Sequence, residues 1–448
     1  MQGSTKQAWT ETGGAIAGSH DLVSSLTAIA PIEKHDFTSQ PSKMGAGLPR
    51  AGACSGLHTH RVRPRTSFSH MFLRRRMTHE PSTKATRTAM AVSLPSDWHR
   101  GPQDSFHGRV SANGCFKPEK NRYHLYLGLF CPFAHRANLA MELKQIKAYA
   151  GIETSVVRPC KVESSISATG RGGSFGFNVI EGQPGFCDNV QNATQDQLFN
   201  SLCLEEIYLK ADPEYQGSFS VPVLWDKKLN TIVNNESMEL LRDLQSAFDS
   251  ILPQSLRDLN LYPESRRGEI DAIADRVHHE VNLAVYRTGL APDQETYVAN
   301  ATKLFATLNL IEKLIHAGGG PYVLGHDLTI LDVQLFTTIV RFDVAYVGAF
   351  SCNIGQIRHD YPVINNWLKF LYWNRDGRTA AFKETTDFDH IKTFYYTNFP
   401  ALNPRGLVPL GPQPHIWGED SVDHSKVGIG GVRISVVQGM EAVMAGYT

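Results

Sequence analysis

The sequence predicts an α/β domain followed by an all-α domain. Between about residues 121 and 244, short apolar strands alternate with segments of helical periodicity. After Pro263, apolar residues recur every three or four positions, as they do along the buried face of a helix. Two kinds of pattern in one chain indicate two cores, and 448 residues are enough to build them.

The first half of the α/β domain has the pattern of a βαβ unit. Residues 122–130 predict a strand, and a helix follows from Pro132, because proline is favoured at the first helical position. Residues 154–157 predict a second strand, which we expect to pair in parallel with the first. The Gly-rich residues 170–193 then predict a long surface loop.

The second half adds a helix over residues 196–210 and a hairpin of two strands, 220–225 and 231–234. A last helix covers residues 236–244, with Asn235 as its N-cap. The resulting order β-α-β-α-β-β-α is that of the thioredoxin fold.

The all-α domain is predicted from several further patterns. Residues 302–316 predict a helix that three glycines and a proline stop. Thr329 and Asp332 have the spacing of a capping box ahead of a helix over residues 333–340, and residues 365–372 predict another. The first helix carries an apolar stripe: Ile270, Ile273, Val277, Val281 and Val285. A thioredoxin-like domain followed by an all-helical domain resembles the architecture of glutathione transferases.

These patterns predict four segments: a leader (1–95), a thioredoxin-like domain (96–248), an all-helical domain (262–415) and a tail (416–448). Two interpretations of the leader stay open. It is either disordered or wrongly translated sequence, or a targeting peptide, since residues 50–94 hold many basic residues and one acid, Glu80.

Bulk composition argues against several classes of function. Lys plus Arg and Asp plus Glu both number 44, whereas a nucleic-acid-binding protein usually has a basic excess. No run of about 18 apolar residues occurs, so we expect no membrane span. The seven cysteines are irregularly spaced, without a CxxC pair or a zinc-ligand pattern. We therefore expect no metal, and a reducing compartment: the cytoplasm, or the mitochondrion if the leader is a transit peptide.

Cys131 is the candidate nucleophile, because it stands where a strand ends and a helix begins. A helix N-terminus stabilises a thiolate through its free N–H groups and partial positive charge, which predicts a lowered pKa. Without a second cysteine at position 134, a mixed disulfide with a small external thiol is the expected mechanism. A buried, inert cysteine is the alternative. His135 and Arg136 either steady the thiolate or serve local structure.

Three neighbouring positions in the predicted domain suit a peptide ligand. Pro222 stands where the thioredoxin fold has a cis-proline, so the backbone of Val221 would pair with an extended cysteinyl peptide; an ordinary edge-strand proline is the alternative. Glu236 and Ser237 open a helix, where N–H groups, a hydroxyl and a carboxylate would receive a γ-glutamyl group. Simple helix capping is compatible with that role.

These residues resemble those of the glutathionyl-hydroquinone reductases, the xi class of glutathione transferases. The resemblance runs from about Phe106 to Gly411, and its most specific blocks are CPFAHR and VPVLWDK with NNES. The matching stretches, in the family order, are RYHLYLGLFCPFAHR, EEIYLKADPEYQGSFSVPVLWDKK, IVNNESMELL, AVYRTG, LFTTIVRFDVAYVG, FDHIKTFYY and NPRGLVPLGP.

The resemblance implies a homodimer that uses glutathione as co-substrate to reduce a quinol or other aromatic conjugate. The family's functional positions are occupied by Cys131 (nucleophile), Val221 (glutathione backbone), Glu236 and Ser237 (γ-glutamyl group), and Tyr286 and Tyr346 (quinol oxygens). From the sequence alone, each of the two tyrosines either faces a substrate or packs in the core.

The chain departs from the family pattern at three positions. Phe133 replaces a Trp in the CPWA motif, and Phe175 stands where the family has a Trp that packs on glutathione. Ser218 replaces an Arg expected to pair with a glutathione carboxylate. The sequence therefore leaves two alternatives to the reductase: a specialised enzyme acting on a quinone or aromatic intermediate in a biosynthetic pathway, and a non-catalytic ligand-binding relative.

Overall fold

The computed structural model describes residues 106–162, 169, 173–179, 190–374 and 380–418. The predicted leader, the tail beyond residue 418 and most of the predicted 170–193 loop lie outside the described residues.

A four-stranded sheet forms the centre of the first domain. Its strands are β1 (Tyr123–Leu127), β2 (Glu153–Val156), β3 (Val223–Asp226) and β4 (Thr231–Asn234), in the spatial order β2-β1-β3-β4. β1 runs parallel to β2, and β3 runs antiparallel to both β1 and β4. This topology confirms the βαβ unit, the hairpin and the thioredoxin-like fold.

Four helices accompany the sheet: α1 (Pro132–Leu143), α2 (Ile146–Ala150), α3 (Leu204–Ala211) and α4 (Ser237–Leu244). α1 begins at the predicted proline. Every residue of β1 is buried, and α1 packs against α4 on one side and against a helix of the second domain on the other. The N-terminus of α1 therefore lies at the junction of the two domains.

Two helix starts in the first domain differ from the sequence prediction. The helix expected from residue 196 begins only at Leu204, because the Asp196 carboxylate accepts hydrogen bonds from three amides, including Leu198 and Ser201, and forms a separate turn. Asn235 is not the cap of α4. Its side-chain oxygen accepts instead from the Phe106 amide, and the Glu236 carboxylate caps the helix.

The second domain is entirely helical in its described part, as predicted. Its α-helices are α5 (Gln254–Arg257), α6 (Arg267–Val277), α7 (Ala284–Gly289), α8 (Gln294–Gly318), α9 (Ile330–Arg341), α10 (Val347–Ala349), α11 (Ile357–Asp360), α12 (Pro362–Trp373), α13 (Ala381–Glu384) and α14 (Phe388–Thr397). A 3-10 turn (Glu264–Arg266) precedes α6, and π-helical turns (His278–Asn282 and Phe342–Tyr346) follow α6 and α9.

The capping box at the start of α9 is confirmed. Thr329 and Asp332 bond each other's backbone amides in the reciprocal pattern. α8 begins eight residues before the predicted start, because the Asp293 side chain accepts from the Thr296 amide and caps a polar first turn. None of the helices in the described ranges is long and apolar enough to cross a membrane.

Candidate active site

Cys131 is itself the N-cap of α1. Its Sγ accepts a hydrogen bond from the Ala134 amide at 3.5 Å, and its thiol donates to the Val221 carbonyl oxygen at 3.6 Å. The Val221–Pro222 peptide bond is cis, as predicted from the thioredoxin fold. The structure thus brings together the candidate nucleophile and the backbone proposed to hold a peptide ligand, although 90 positions separate them.

Burial raises the pKa of the Cys131 thiol above its usual range. The Ala134 and Phe133 amides and the guanidinium groups of Arg341 and Arg136 act in the opposite direction, without cancelling the effect of burial. The lowered pKa expected from the helix N-terminus is therefore wrong. Two buried guanidinium groups, in addition to the amides at the helix start, oppose the effect of burial on the pKa of the thiol.

The start of α4 carries a second polar cluster close to α1. Arg136 donates to the Ser237 hydroxyl at 3.0 Å, and this hydroxyl donates to the Glu236 carboxylate at 3.3 Å. Arg136 also donates to the Asn282 side chain of the second domain at 2.8 Å. Burial lowers the pKa of Arg136 to about 10, while Glu236 acts to raise it. Arg136 therefore links Glu236 and Ser237, the residues predicted to bind the γ-glutamyl group, to the second domain.

Three tyrosines of the second domain meet in one cluster. The hydroxyl of Tyr395 lies 2.5 Å from that of Tyr286 and 3.0 Å from that of Tyr346. Tyr286 also stacks on Phe133, two residues beyond the nucleophile, with ring centroids 6.2 Å apart. The two predicted tyrosines are thus together, and the structure adds Tyr395, which the sequence analysis missed. Tyr395 lies in the FDHIKTFYY stretch, and the resemblance of this stretch to the family was the sequence feature that could have indicated it.

Comparison with known proteins identifies the relatives of this chain. Residues 294–370 match the family described as "Glutathione S-transferase, C-terminal domain". The chain is 43% identical over 314 residues to glutathione S-transferase omega-like 2 of Schizosaccharomyces pombe, covering 70% of this chain and 92% of that protein. It is 35% identical over 310 residues to the glutathionyl-hydroquinone reductase YqjG of Escherichia coli, covering 68% of this chain and 85% of YqjG.

Among solved structures, the xi glutathione transferase ECM4 of Saccharomyces cerevisiae in complex with glutathione is similar. The two chains are 34% identical with a TM-score of 0.62, over 70% of this chain and 99% of ECM4.

This chain belongs to the xi-class glutathione transferases. It is therefore an enzyme of the glutathione-dependent transferase and reductase type, and the predicted two-domain fold is confirmed.

The two aromatic departures from the xi-class pattern both pack near Cys131. Phe133 lies between the Arg136 guanidinium, 4.9 Å from its ring centroid, and Tyr286. Phe175 is buried against Phe130, the residue before Cys131, with centroids 4.7 Å apart. In this xi-class chain, phenylalanine therefore occupies the two positions near Cys131 where the family pattern has tryptophan.

The third departure, Ser218, is exposed on the segment that leads into the cis-proline. Its carbonyl accepts hydrogen bonds from the Tyr215 hydroxyl and the Ser220 amide, both at 3.1 Å. Within the described residues, no cluster of three or more His, Cys, Asp or Glu side chains is arranged to hold a metal ion. The functional groups described at this site are a thiol, two guanidinium groups and three phenols.

Proposed function

We propose that the chain removes glutathione from glutathionyl-hydroquinone-type conjugates, with Cys131 as nucleophile. The Cys131 thiolate attacks the conjugate's sulfur, the sulfur–carbon bond breaks, and the ring carbon takes the electron pair and a proton to give the free hydroquinone. A second glutathione thiolate then attacks the Cys131–glutathione disulfide. This step releases oxidised glutathione and restores the Cys131 thiolate.

The contact between Cys131 and the Val221 carbonyl carries this proposal. A cysteinyl peptide that pairs with the Val221 backbone places its sulfur beside Sγ, where attack leads directly to a mixed disulfide. Glutathione has a γ-glutamyl group at one end, and Glu236 and Ser237 are the groups proposed to receive it. The relatives named glutathionyl-hydroquinone reductase support the type of reaction, and the glutathione-bound ECM4 structure supports glutathione as the co-substrate.

The tyrosine cluster supports an aromatic substrate that carries oxygen atoms. Burial raises the pKa of Tyr286 and Tyr395 well above 10 and that of Tyr346 to about 12, so all three hydroxyls are protonated at neutral pH. Neutral phenols donate hydrogen bonds to quinol oxygens and to the charge that develops on them during transfer.

The proposal is tested with purified protein, reduced glutathione and a glutathionyl-hydroquinone, following quinol release by chromatography. We expect release by the unchanged chain, none by Cys131→Ala, and unchanged release by the matched control Cys115→Ala, which removes another partly exposed cysteine that forms no disulfide. After oxidised glutathione is added, mass spectrometry should find one glutathione adduct, on Cys131. Quinol release by Cys131→Ala would contradict the mechanism, and binding without release would indicate a ligand-binding relative.

We also propose a cytoplasmic location and a homodimer. None of the five cysteines in the described parts of the chain forms a disulfide, which suits a reducing compartment with abundant glutathione. Analytical ultracentrifugation tests the dimer.

A further inference from the structure

Arg341, the last residue of α9, reaches from the helical domain into the turn that ends at Cys131. Its Nε donates to the Phe130 carbonyl oxygen at 3.0 Å, and its Nη2 donates to the Leu129 carbonyl oxygen at 2.9 Å. The side chain is fully buried. One planar guanidinium therefore holds the two residues that precede the nucleophile, from a helix more than 200 positions further along the chain.

The Nη1 group of Arg341 also meets neutral partners. Nη1 donates to the Thr337 carbonyl oxygen at 2.6 Å and to His135 Nδ1 at 3.0 Å. Burial and the neighbouring guanidinium lower the pKa of His135 well below 6.5, so this imidazole is neutral. Its other nitrogen, Nε2, then carries the proton and donates to the Thr385 hydroxyl at 2.8 Å.

The charge of Arg341 is thus buried with four neutral hydrogen-bond partners and no carboxylate among them. An uncompensated buried cation is costly, and proteins keep one where another charge appears during function. The nearby group that becomes an anion in the proposed reaction is the Cys131 thiol, on which Arg341 acts electrostatically. Arg136, the other cation near the thiol, already has Glu236 as a counter-charge.

We propose that Arg341 is a positioning residue for Cys131: it fixes the turn that presents the sulfur and supplies the positive charge that the thiolate faces. This inference rests on the proposed role of Cys131 as nucleophile. The helical domain thereby does more than hold the aromatic substrate, because the reactivity of the cysteine in the first domain depends on it.

The test measures alkylation of Cys131 by iodoacetamide in the full chain between pH 6.5 and 9. The thiolate attacks the methylene carbon and iodide leaves, and mass spectrometry of the Cys131 peptide reports the rate. The other titratable groups that face Cys131 keep their protonation state across this range. Tyr286 and Tyr346 have a strongly raised pKa, Arg136 has a pKa of about 10, and His135 stays neutral.

Arg341→Met should slow alkylation about tenfold or more at pH 7, because the loss of a cation that favours the thiolate raises the pKa of the thiol by about one unit or more. Arg341→Lys keeps the positive charge and loses the planar guanidinium group. The pH dependence of its alkylation rate should therefore follow that of the unchanged chain. Arg341→Gln, which still donates to a carbonyl, is the second neutral variant if the Met variant does not fold.

Arg358→Met is the matched control, because this partly buried guanidinium is paired with Asp343 at 3.0 Å. It should lower stability and leave the rate of Cys131 alkylation unchanged. An equal slowing in the Lys and Gln variants would overturn the proposal and leave Arg341 a purely structural role. Iodoacetamide needs neither glutathione nor quinol, so this outcome is independent of whether the proposed reaction takes place.

Discussion

The hydroxyl of Tyr395 lies 2.5 Å from the hydroxyl of Tyr286, although 109 residues separate them in the chain. Tyr395 also contacts the Tyr346 hydroxyl, so it is the central member of the cluster. Under the proposed function, a substrate oxygen that approaches the partly exposed Tyr286 would meet a hydroxyl that Tyr395 polarises through a hydrogen bond.

Tyr395→Phe should lower kcat/KM for a glutathionyl-hydroquinone about tenfold or more. The change removes the central hydroxyl and leaves the buried hydroxyls of Tyr286 and Tyr346 without this partner, and each such loss costs about 1–3 kcal/mol. Steady-state kinetics of quinol release measures the effect. Tyr396→Phe, one position along α14 and only partly buried, is the matched control and should change kcat/KM less than twofold. Equal losses in both variants would contradict a special role for Tyr395.

Ser218→Arg should strengthen glutathione binding. A charge-assisted hydrogen bond to a glutathione carboxylate lowers the dissociation constant about tenfold and adds salt dependence to the affinity. Calorimetry at low and high salt measures both, with Ser218→Gln as a control of similar length and no charge. An unchanged affinity would mean that another cation already fills the role. Arg171 is our candidate and lies outside the described residues, so the double change with Arg171→Ala would decide.

Asp332→Asn should lower the free energy of unfolding by about 2–4 kcal/mol, because an amide cannot accept all the hydrogen bonds that the buried carboxylate receives. That carboxylate accepts from the Val323 and Thr329 amides at 2.8 and 2.9 Å and from the Trp367 indole at 3.0 Å. Urea denaturation measures the loss. The control Asp327→Asn, whose side chain is 77% exposed, should change stability by less than about 0.5 kcal/mol. A similar effect of both changes would refute the network argument.

Because of Glu312, the free energy of unfolding should fall as the pH rises from about 4.5 to about 6. Burial raises its pKa to about 6, while the Val363 and Ile364 amides that donate to it act in the other direction. Because the folded chain binds the proton more tightly than the unfolded chain, up to about 2 kcal/mol is present below pH 4.5 and is lost as the pH rises through 6. Denaturation across this range should show the loss in the unchanged chain and not in Glu312→Gln.

Glu295→Gln, an exposed position on the same helix, is the control and should keep the pH dependence. If the slope persists in Glu312→Gln, another group is responsible for it.

The sequence by itself determined the features whose causes are local. Proline at the first helical position predicted the start of α1 at Pro132, and the spacing of Thr329 and Asp332 predicted the capping box of α9. A hairpin pattern, two short apolar runs joined by a polar turn, predicted the boundaries of β4, and the order of elements predicted the fold and the cis bond before Pro222. Each of these depends on side chains within a few positions of one another.

Only the tertiary structure decided what surrounds the sulfur of Cys131. Arg341 and Tyr395 reach the site from helices that pack against the first domain, and no spacing along the chain reveals that approach. The pKa of the thiol was decided in the same way. A helix N-terminus favours the thiolate wherever it occurs, whereas burial depends on every element that covers the site, and here the effect of burial is the larger of the two.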